Sequence, residues 1–304
     1  MDQEYPDLTM KHLHNIALNK HCTFRIGGMA RDFYLPQNAE EMADIVILHR
    51  KRHLPFWIHG GGANTLFPDG EIHTAIISTS EMNATSRHDD LIRAEAGAVM
   101  DRWVLDNLHH GLGGVECLSG IPGTLGGALF MNAGAYGHEI SDHLVSVTVL
   151  TRDNTVLELT KNECGFGYRQ AKSLRGTVIL AGTWRLPQSD PAPLLAKRKE
   201  ILDKRRDKQP LDFPSAGSVF KRPEGAYASQ LIDQAGLKGV RVGGAQVSEK
   251  HAGFIVNVGG ATCQDVLELV DLCRRTVRER FGYELELEQC LCPSCPCQPE
   301  TEQS

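Results

Sequence analysis

Apolar residues recur along this chain at two spacings, and the spacings divide it into elements. Met42, Ile45, Val46 and His49 repeat at helical spacing behind Asn38, a residue suited to cap a helix. Trp103, Val104 and Leu108 mark a second helix over residues 100–110. The most regular stripe is Val266, Leu269, Val270, Cys273, Val277 and Phe281. Thr262 and Asp265 before it have the spacing of a capping box, and Gly282 after it suits a left-handed end. Shorter apolar runs predict strands at residues 32–35, 56–58, 74–78, 91–95, 144–151, 155–159, 177–186 and 253–258, with residues 152–154 as a hairpin turn. The strand–helix–strand over residues 32–58 implies a small parallel unit. In residues 283–288, Tyr283, Leu285 and Leu287 alternate with Glu284, Glu286 and Glu288, which predicts a strand with three solvated carboxylates. Residues 188–193 are polar and twice interrupted by proline, and read as a linker before a basic helix at 194–208. A further helix is expected at 227–235. Residues 1–18 read as a lead-in, and no internal repeat is present.

One stretch, residues 113–137, fits neither period. Glycine, small and apolar residues are interleaved there: Ser119, Gly120, Ile121, Pro122, Gly123, Thr124, Leu125, Gly126, Gly127, Ala128. Such a density of glycine weakens a fold unless close approach or special dihedrals require it. Thr124 can cap a short helix reaching Met131, and free N–H groups at its start would attract an anion, most simply a phosphate. A tight packing junction is the alternative. A second loop, Gly60-Gly61-Gly62-Ala63-Asn64, follows a predicted strand. It is neither a dinucleotide fingerprint nor a P-loop, because Thr65 stands where the former needs glycine and no Gly-Lys-Ser/Thr follows. Together the two loops suggest backbone amides gripping one pyrophosphate from two sides.

Composition narrows the function classes. The length of 304 residues suits two domains, or one elaborate domain with a smaller partner. A net charge of −6, with no basic cluster interleaved with aromatics, argues against nucleic acid. Asp2, Glu4 and Asp7 with no apolar segment behind them argue against a secretory leader, and no apolar run spans a bilayer, so a cytoplasmic protein without a membrane partner is expected. Of nine cysteines, Cys22, Cys117, Cys164, Cys263 and Cys273 are scattered and read as reduced small hydrophobes. His109-His110 point in different directions on a helix, His59 reads as a strand end, and His251 beside Lys250 could face a ligand.

In order, the motifs resemble one family closely, UDP-N-acetylenolpyruvoylglucosamine reductase (UDP-N-acetylmuramate dehydrogenase). The resemblance is carried by Asn19 with Thr23-Phe24-Arg25-Ile26-Gly27-Gly28, by the two glycine loops through Asn132-Ala133-Gly134-Ala135-Tyr136-Gly137, and by Tyr168-Arg169. It continues with Arg205 to Pro210, Ser215-Ala216-Gly217-Ser218-Val219-Phe220, Ala235-Gly236-Leu237-Lys238-Gly239 and Val247-Ser248-Glu249-Lys250-His251. It spans residues 19–288. No long insertion separates Arg169 from Lys208, so the chain looks like the shorter subclass lacking a tyrosine lid loop.

The resemblance implies an α+β fold: a two-subdomain FAD-binding module of the vanillyl-alcohol-oxidase-like (PCMH) type over residues 19–188 (19–72 and 73–188), a C-terminal substrate domain over 194–289, and a tail at 290–304. It implies noncovalent FAD held by Gly60, Gly61, Gly62, Ala63, Asn64, Ser119, Gly120, Ile121, Pro122, Gly123, Thr124, Gly127 and Ala128, since the first loop has no histidine or cysteine for covalent attachment. NADPH would be the co-substrate. The activity implied is reduction of UDP-N-acetylglucosamine enolpyruvate to UDP-N-acetylmuramate in peptidoglycan precursor synthesis, by hydride transfer from flavin N5 to the enolpyruvyl β-carbon. The resulting enolate needs positive charge and then a proton. The resemblance assigns the charge to Arg169, polarisation of the carboxylate to a Glu288 that is protonated or shares a proton, and the proton to Ser218 with Lys208 assisting. Lys208, Lys221, Arg222 and His251 are the substrate-binding candidates. A monomer or weak oligomer is expected.

The chain departs from the family pattern at Ala63 and Ala171, where serine is usual, and at Arg222, where asparagine is common. Cys290, Cys292, Cys295 and Cys297 crowd the tail. A mobile tail with redox-sensitive thiols is the expectation, with a thiolate metal site as the minority reading. The rival functions are a flavin oxidase or dehydrogenase of another substrate, and a non-catalytic nucleotide- or metal-binding protein.

Overall fold

The computed structural model describes residues 10–293. They form two compact units. The first holds the described residues up to His14, then Asp32–Gly61 and Ala75–Lys204. The second holds Asn15–Arg31, Gly62–Thr74 and the described residues from Arg205 onward. The mixture of helices with parallel and antiparallel strands is α+β.

The first unit contains two sheets. One has the order Lys11–Ala17, Met29–Leu35, Ala75–Ser78, Phe56–His59. Ala75–Ser78 pairs in parallel with both Phe33–Tyr34 and Phe56–His59. The expected parallel unit therefore exists, with a third strand inserted between its two members. The helix Ala39–Lys51 buries Met42, Ile45, Val46 and His49, the face expected from spacing, and the Asn38 side chain accepts the Glu41 N–H at 2.9 Å. That face packs with Tyr34, Ala75, Ile77, Leu150 and Leu180.

The other sheet is antiparallel throughout, ordered Val156–Thr160, Leu144–Leu150, Val178–Arg185, Leu91–Glu95, Thr85–His88. Val147, Ile179, Trp184 and Ile92 build its core with Trp103, Val104 and Leu108 of the helix Met100–His109. The Trp103 and Trp184 rings lie 4.8 Å apart, and Trp184 Nε1 donates to the Ile140 carbonyl at 2.9 Å. The basic helix begins at Pro191 and runs to Lys208. Both prolines of the expected linker therefore lie inside it, in the first turn, where a missing N–H costs no intrahelical bond.

In the second unit the helix Cys263–Phe281 buries the predicted stripe through Val277. Its capping box is formed by Thr262 and Asp265, and Gly282 at φ 75° ends it in the left-handed region. Asp69 adds a carboxylate to the same helix start, accepting the N–H groups of Cys263 (2.9 Å) and Gln264 (3.2 Å). The helix Ala228–Gln234 and an antiparallel sheet of Arg241–Val242, Ala245–Val247 and Ile255–Asn257 complete the unit.

Two expectations fail here. Residues 10–17 are not a lead-in, since Lys11–Ala17 is a strand. The cysteine segment does not start as a mobile tail. Cys290–Leu291 pairs in parallel with Thr65–Leu66, and the Cys292 N–H bonds to the Leu66 carbonyl at 3.1 Å. Cys292 is fully buried, which pushes its thiol up to about 12 and makes it a poor thiolate donor for a metal. Cys295 and Cys297 lie outside the described residues.

Candidate functional site: two glycine loops and three polar side chains

In the first unit, Gly60 and Gly61 follow the strand Phe56–His59 and meet residues 119–128. A Cβ on Gly61 would stand 2.7 Å from the Gly123 Cα, and one on Gly60 would stand 2.5 Å from Thr124 Oγ1. Neither position has room for a side chain: at Gly61 backbone packs on backbone, and at Gly60 the Thr124 hydroxyl stands in the way. Gly120 (φ 76°) and Gly123 (φ 107°) take dihedrals that other residues avoid. Gly126 is a packing glycine, because its Cβ would lie 2.8 Å from that of Ala96. The close-approach reading and the packing-junction reading therefore both hold, at different glycines.

The short helix is Leu125–Phe130, with Thr124 at its N-cap but no side-chain cap bond. The expected row of free N–H groups is not there. Leu125 donates to the Ala98 carbonyl at 2.9 Å and Gly126 to Ala96 at 2.8 Å, which ties the helix start to the end of Leu91–Glu95. Ala128 gives its N–H to Thr124 and its methyl to the core, so it offers a ligand neither. What remains is compact. Thr124 Oγ1 is buried with no hydrogen-bond partner among the described residues. Gly127 beside it is exposed, and the space where its Cβ would stand meets only that hydroxyl, at 3.7 Å. A Cβ at Gly60 would fill the same space. A bare cradle of backbone with one unsatisfied hydroxyl fits a phosphate oxygen, and so fits the pyrophosphate of FAD.

Asp101, in the first turn of the helix Met100–His109, holds this loop. Its Oδ1 accepts the Gly120 N–H at 2.7 Å, and both its oxygens take the Arg198 guanidinium, at 2.6 and 2.8 Å. Arg198 is buried. Nothing in the local pattern signals this pairing, which joins residues far apart in the chain.

Arg169 also lies in the first unit. It is the second turn residue of a tight hairpin between Phe166–Gly167 and Gln170–Ala171, with φ 54°. A left-handed arginine carries strain of about 1–3 kcal/mol, the kind held at functional positions. Its Nη2 donates to the Gly134 carbonyl at 3.0 Å. Asn132, also left-handed at φ 44°, donates through Nδ2 to Glu139 (2.6 Å) and to the Gly167 carbonyl (3.1 Å), bracing the hairpin.

The second unit carries the rest. Gly62 has φ 60°, and its carbonyl accepts the Thr23 N–H at 3.2 Å. Asn64 Nδ2 donates to the Glu288 carbonyl at 3.0 Å, and the Asn64 carbonyl accepts the Cys290 N–H at 2.8 Å. Ser218 and Glu288 sit on neighbouring segments. Val219 accepts the Glu288 N–H at 2.8 Å, and Phe220 bridges Leu287. Ser218 is exposed. The predicted strand at 283–288 is reduced to this single bridge, and the alternation breaks at its end: Glu284 and Glu286 are exposed, whereas Glu288 is half-buried. Lys208 is exposed. Lys221 is paired with Glu286, and the Arg222 guanidinium lies 4.5 Å from the Tyr227 ring centroid. His251 is partly buried, which lowers its pKa, and its Nδ1 accepts the Gly253 N–H at 3.1 Å.

Known proteins match the chain in two parts. Residues 31–160 match the family described as FAD binding domain, and residues 209–292 match UDP-N-acetylenolpyruvoylglucosamine reductase, C-terminal domain. The enzyme named UDP-N-acetylenolpyruvoylglucosamine reductase from Clostridium novyi is 38% identical over 275 residues, 90% of each chain. That of Caldanaerobacter subterraneus is 42% identical over 272 residues, 89% of this chain and 90% of its own. The crystal structure of the Thermus caldophilus reductase superposes with a TM-score of 0.79 at 33% identity, covering 93% of this chain and 99% of that one. The chain belongs to the UDP-N-acetylenolpyruvoylglucosamine reductase family, oxidoreductases that use FAD with NADPH as reductant.

Proposed function

We propose that this chain reduces UDP-N-acetylglucosamine enolpyruvate to UDP-N-acetylmuramate, as a cytoplasmic, monomeric step of peptidoglycan precursor synthesis. The observation that carries the reading is the bare cradle at Gly60, Thr124 and Gly127, where a buried hydroxyl lacks a partner and no side chain intrudes. Bound FAD, held without a covalent bond, supplies the hydride chemistry, with NADPH as the electron source. Residues 19–188 hold that cofactor and residues 194–289 bind the substrate.

The chain's own residues manage charge and proton. Addition of hydride to the β-carbon leaves an enolate delocalised into the carboxylate. Arg169, fixed by its bond to Gly134, offers the positive charge that such an oxyanion needs. Glu288, half-buried rather than solvated, polarises the same carboxylate. Ser218 delivers the proton to the α-carbon, with Lys208 as the neighbour that makes a serine a competent donor. Lys208 and Arg222 meet the substrate diphosphate, and His251 shapes the pocket. Lys221, already paired with Glu286, contributes once that pair opens.

The test uses the purified full chain. A bound flavin spectrum, with NADPH oxidation that depends on UDP-N-acetylglucosamine enolpyruvate, is the expected result. Flavin with no turnover of that substrate would overturn the substrate assignment, and a colourless chain that does not take up added FAD would overturn the cofactor reading of the cradle.

A further inference from the structure

Away from the glycine loops, the first unit brings together His12, His14 and Asp32. His12 and His14 are two apart on the strand Lys11–Ala17, so their side chains leave the same face. Asp32 stands on the neighbouring strand Met29–Leu35. One carboxylate oxygen, Asp32 Oδ1, lies 3.1 Å from His12 Nε2 and 3.3 Å from His14 Nδ1. One ligand atom from each residue falls within 4.8 Å of the others.

Ligand atoms around a tetrahedral ion with bonds of about 2.0–2.1 Å are separated by ~3.3 Å. The two distances to Asp32 Oδ1 match that spacing, and the two imidazole ligand atoms lie within 4.8 Å of one another. The surroundings suit a metal as well. Asp32 is buried, its side chain 9% exposed, so its charge is concentrated in a poorly solvated place. The buried Tyr34 ring stacks on His12 at 4.0 Å and 15°, fixing the plane of that imidazole. The His14 side chain is 61% exposed, which leaves an entry path and a fourth position for water.

We propose that His12, His14 and Asp32 bind a divalent zinc-type ion that pins the first strand to its sheet. Two imidazoles and one carboxylate form a nitrogen–oxygen donor set, distinct from anything the nine cysteines could supply. The site is structural and does not touch the reduction chemistry.

The test titrates the full flavin-loaded chain with Co2+ and then Zn2+. One equivalent of Co2+ is expected to give visible ligand-field bands without near-ultraviolet thiolate charge transfer, and Zn2+ to displace it and raise the thermal midpoint. His14→Ala is expected to weaken Co2+ binding by at least roughly tenfold and to abolish the zinc-dependent rise, with flavin content and turnover unchanged. Asp32→Asn is expected to do the same, and His12→Gln serves if that variant does not fold. A thiolate spectrum, equal binding by the native chain and His14→Ala, or no binding at all would overturn the proposal.

Discussion

Residues 119–128 and the paired segments around Ser218 and Glu288 serve one proposed reaction by opposite means. The glycine stretch works through what it lacks. Its neighbours stand where side chains would be, its dihedrals exclude other residues, and most of its N–H groups are spent on the fold. The segments of the second unit are paired through backbone bonds, with Asn64 and Thr23 side chains donating to the Glu288 and Ser215 carbonyls, and they leave Ser218 at the surface and Glu288 half-buried. The first region tolerates almost no substitution for structural reasons. In the second, the exposed Ser218 side chain is free of such packing restriction.

Substitution in each region tests this contrast. Ser218→Ala removes one exposed hydroxyl from the second region. Turnover should fall about 10²–10⁴-fold, the usual worth of a positioned acid, while thermal midpoint and flavin content stay at native values. Steady-state rates beside a melting curve check it, and a lowered midpoint would place Ser218 among the structural residues. Gly61→Ala should behave in the opposite way. Its methyl would collide with the Gly123 backbone, which cannot swing aside, so the chain should lose about 1–3 kcal/mol of stability together with flavin. Protein that retains flavin after Gly61→Ala should still turn over substrate.

An effect absent at neutral pH concerns buried thiols of the second unit, which belong to neither chemistry nor cradle. Burial pushes Cys273 and Cys292 up to about 12. A pKa raised by folding gives stability that is fully present below the unfolded value near 8.5 and is lost as pH climbs toward the folded one. The unfolding free energy from urea titrations should therefore fall between about pH 9 and 12, by about 1.4 kcal/mol per pH unit for each thiol, and Cys292→Ala should remove its share of that slope.

Periodic elements were legible because one face of each meets a core. The stripe of Cys263–Phe281 and the Asn38 cap could be placed from spacing alone. Lys11–Ala17 was not, since Lys11, His12, His14 and Asn15 give a strand little apolar pattern. Pro191 and Pro193 looked like a linker because proline breaks a helix interior, yet proline is equally at home in a first turn. The glycine stretch was visible as a whole, but spacing does not distinguish Gly126, packed on Ala96, from Gly127, which is open. Asp101, which fastens the loop, was invisible because its partners Gly120 and Arg198 are distant in sequence. Glu288 shows the limit of alternation: period alone places it with Glu284 and Glu286 in solvent, whereas backbone ties to Val219 and to the Asn64 side chain hold a half-buried residue there.

The division between cradle and chemistry is tested most directly by following the two half-reactions of Ser218→Ala separately under anaerobic conditions. Flavin reduction by NADPH should proceed at the native rate, and reoxidation by UDP-N-acetylglucosamine enolpyruvate should be slowed by about 10²-fold or more. Equal slowing of both half-reactions, or native rates in both, would contradict the role assigned to Ser218 and with it the division itself.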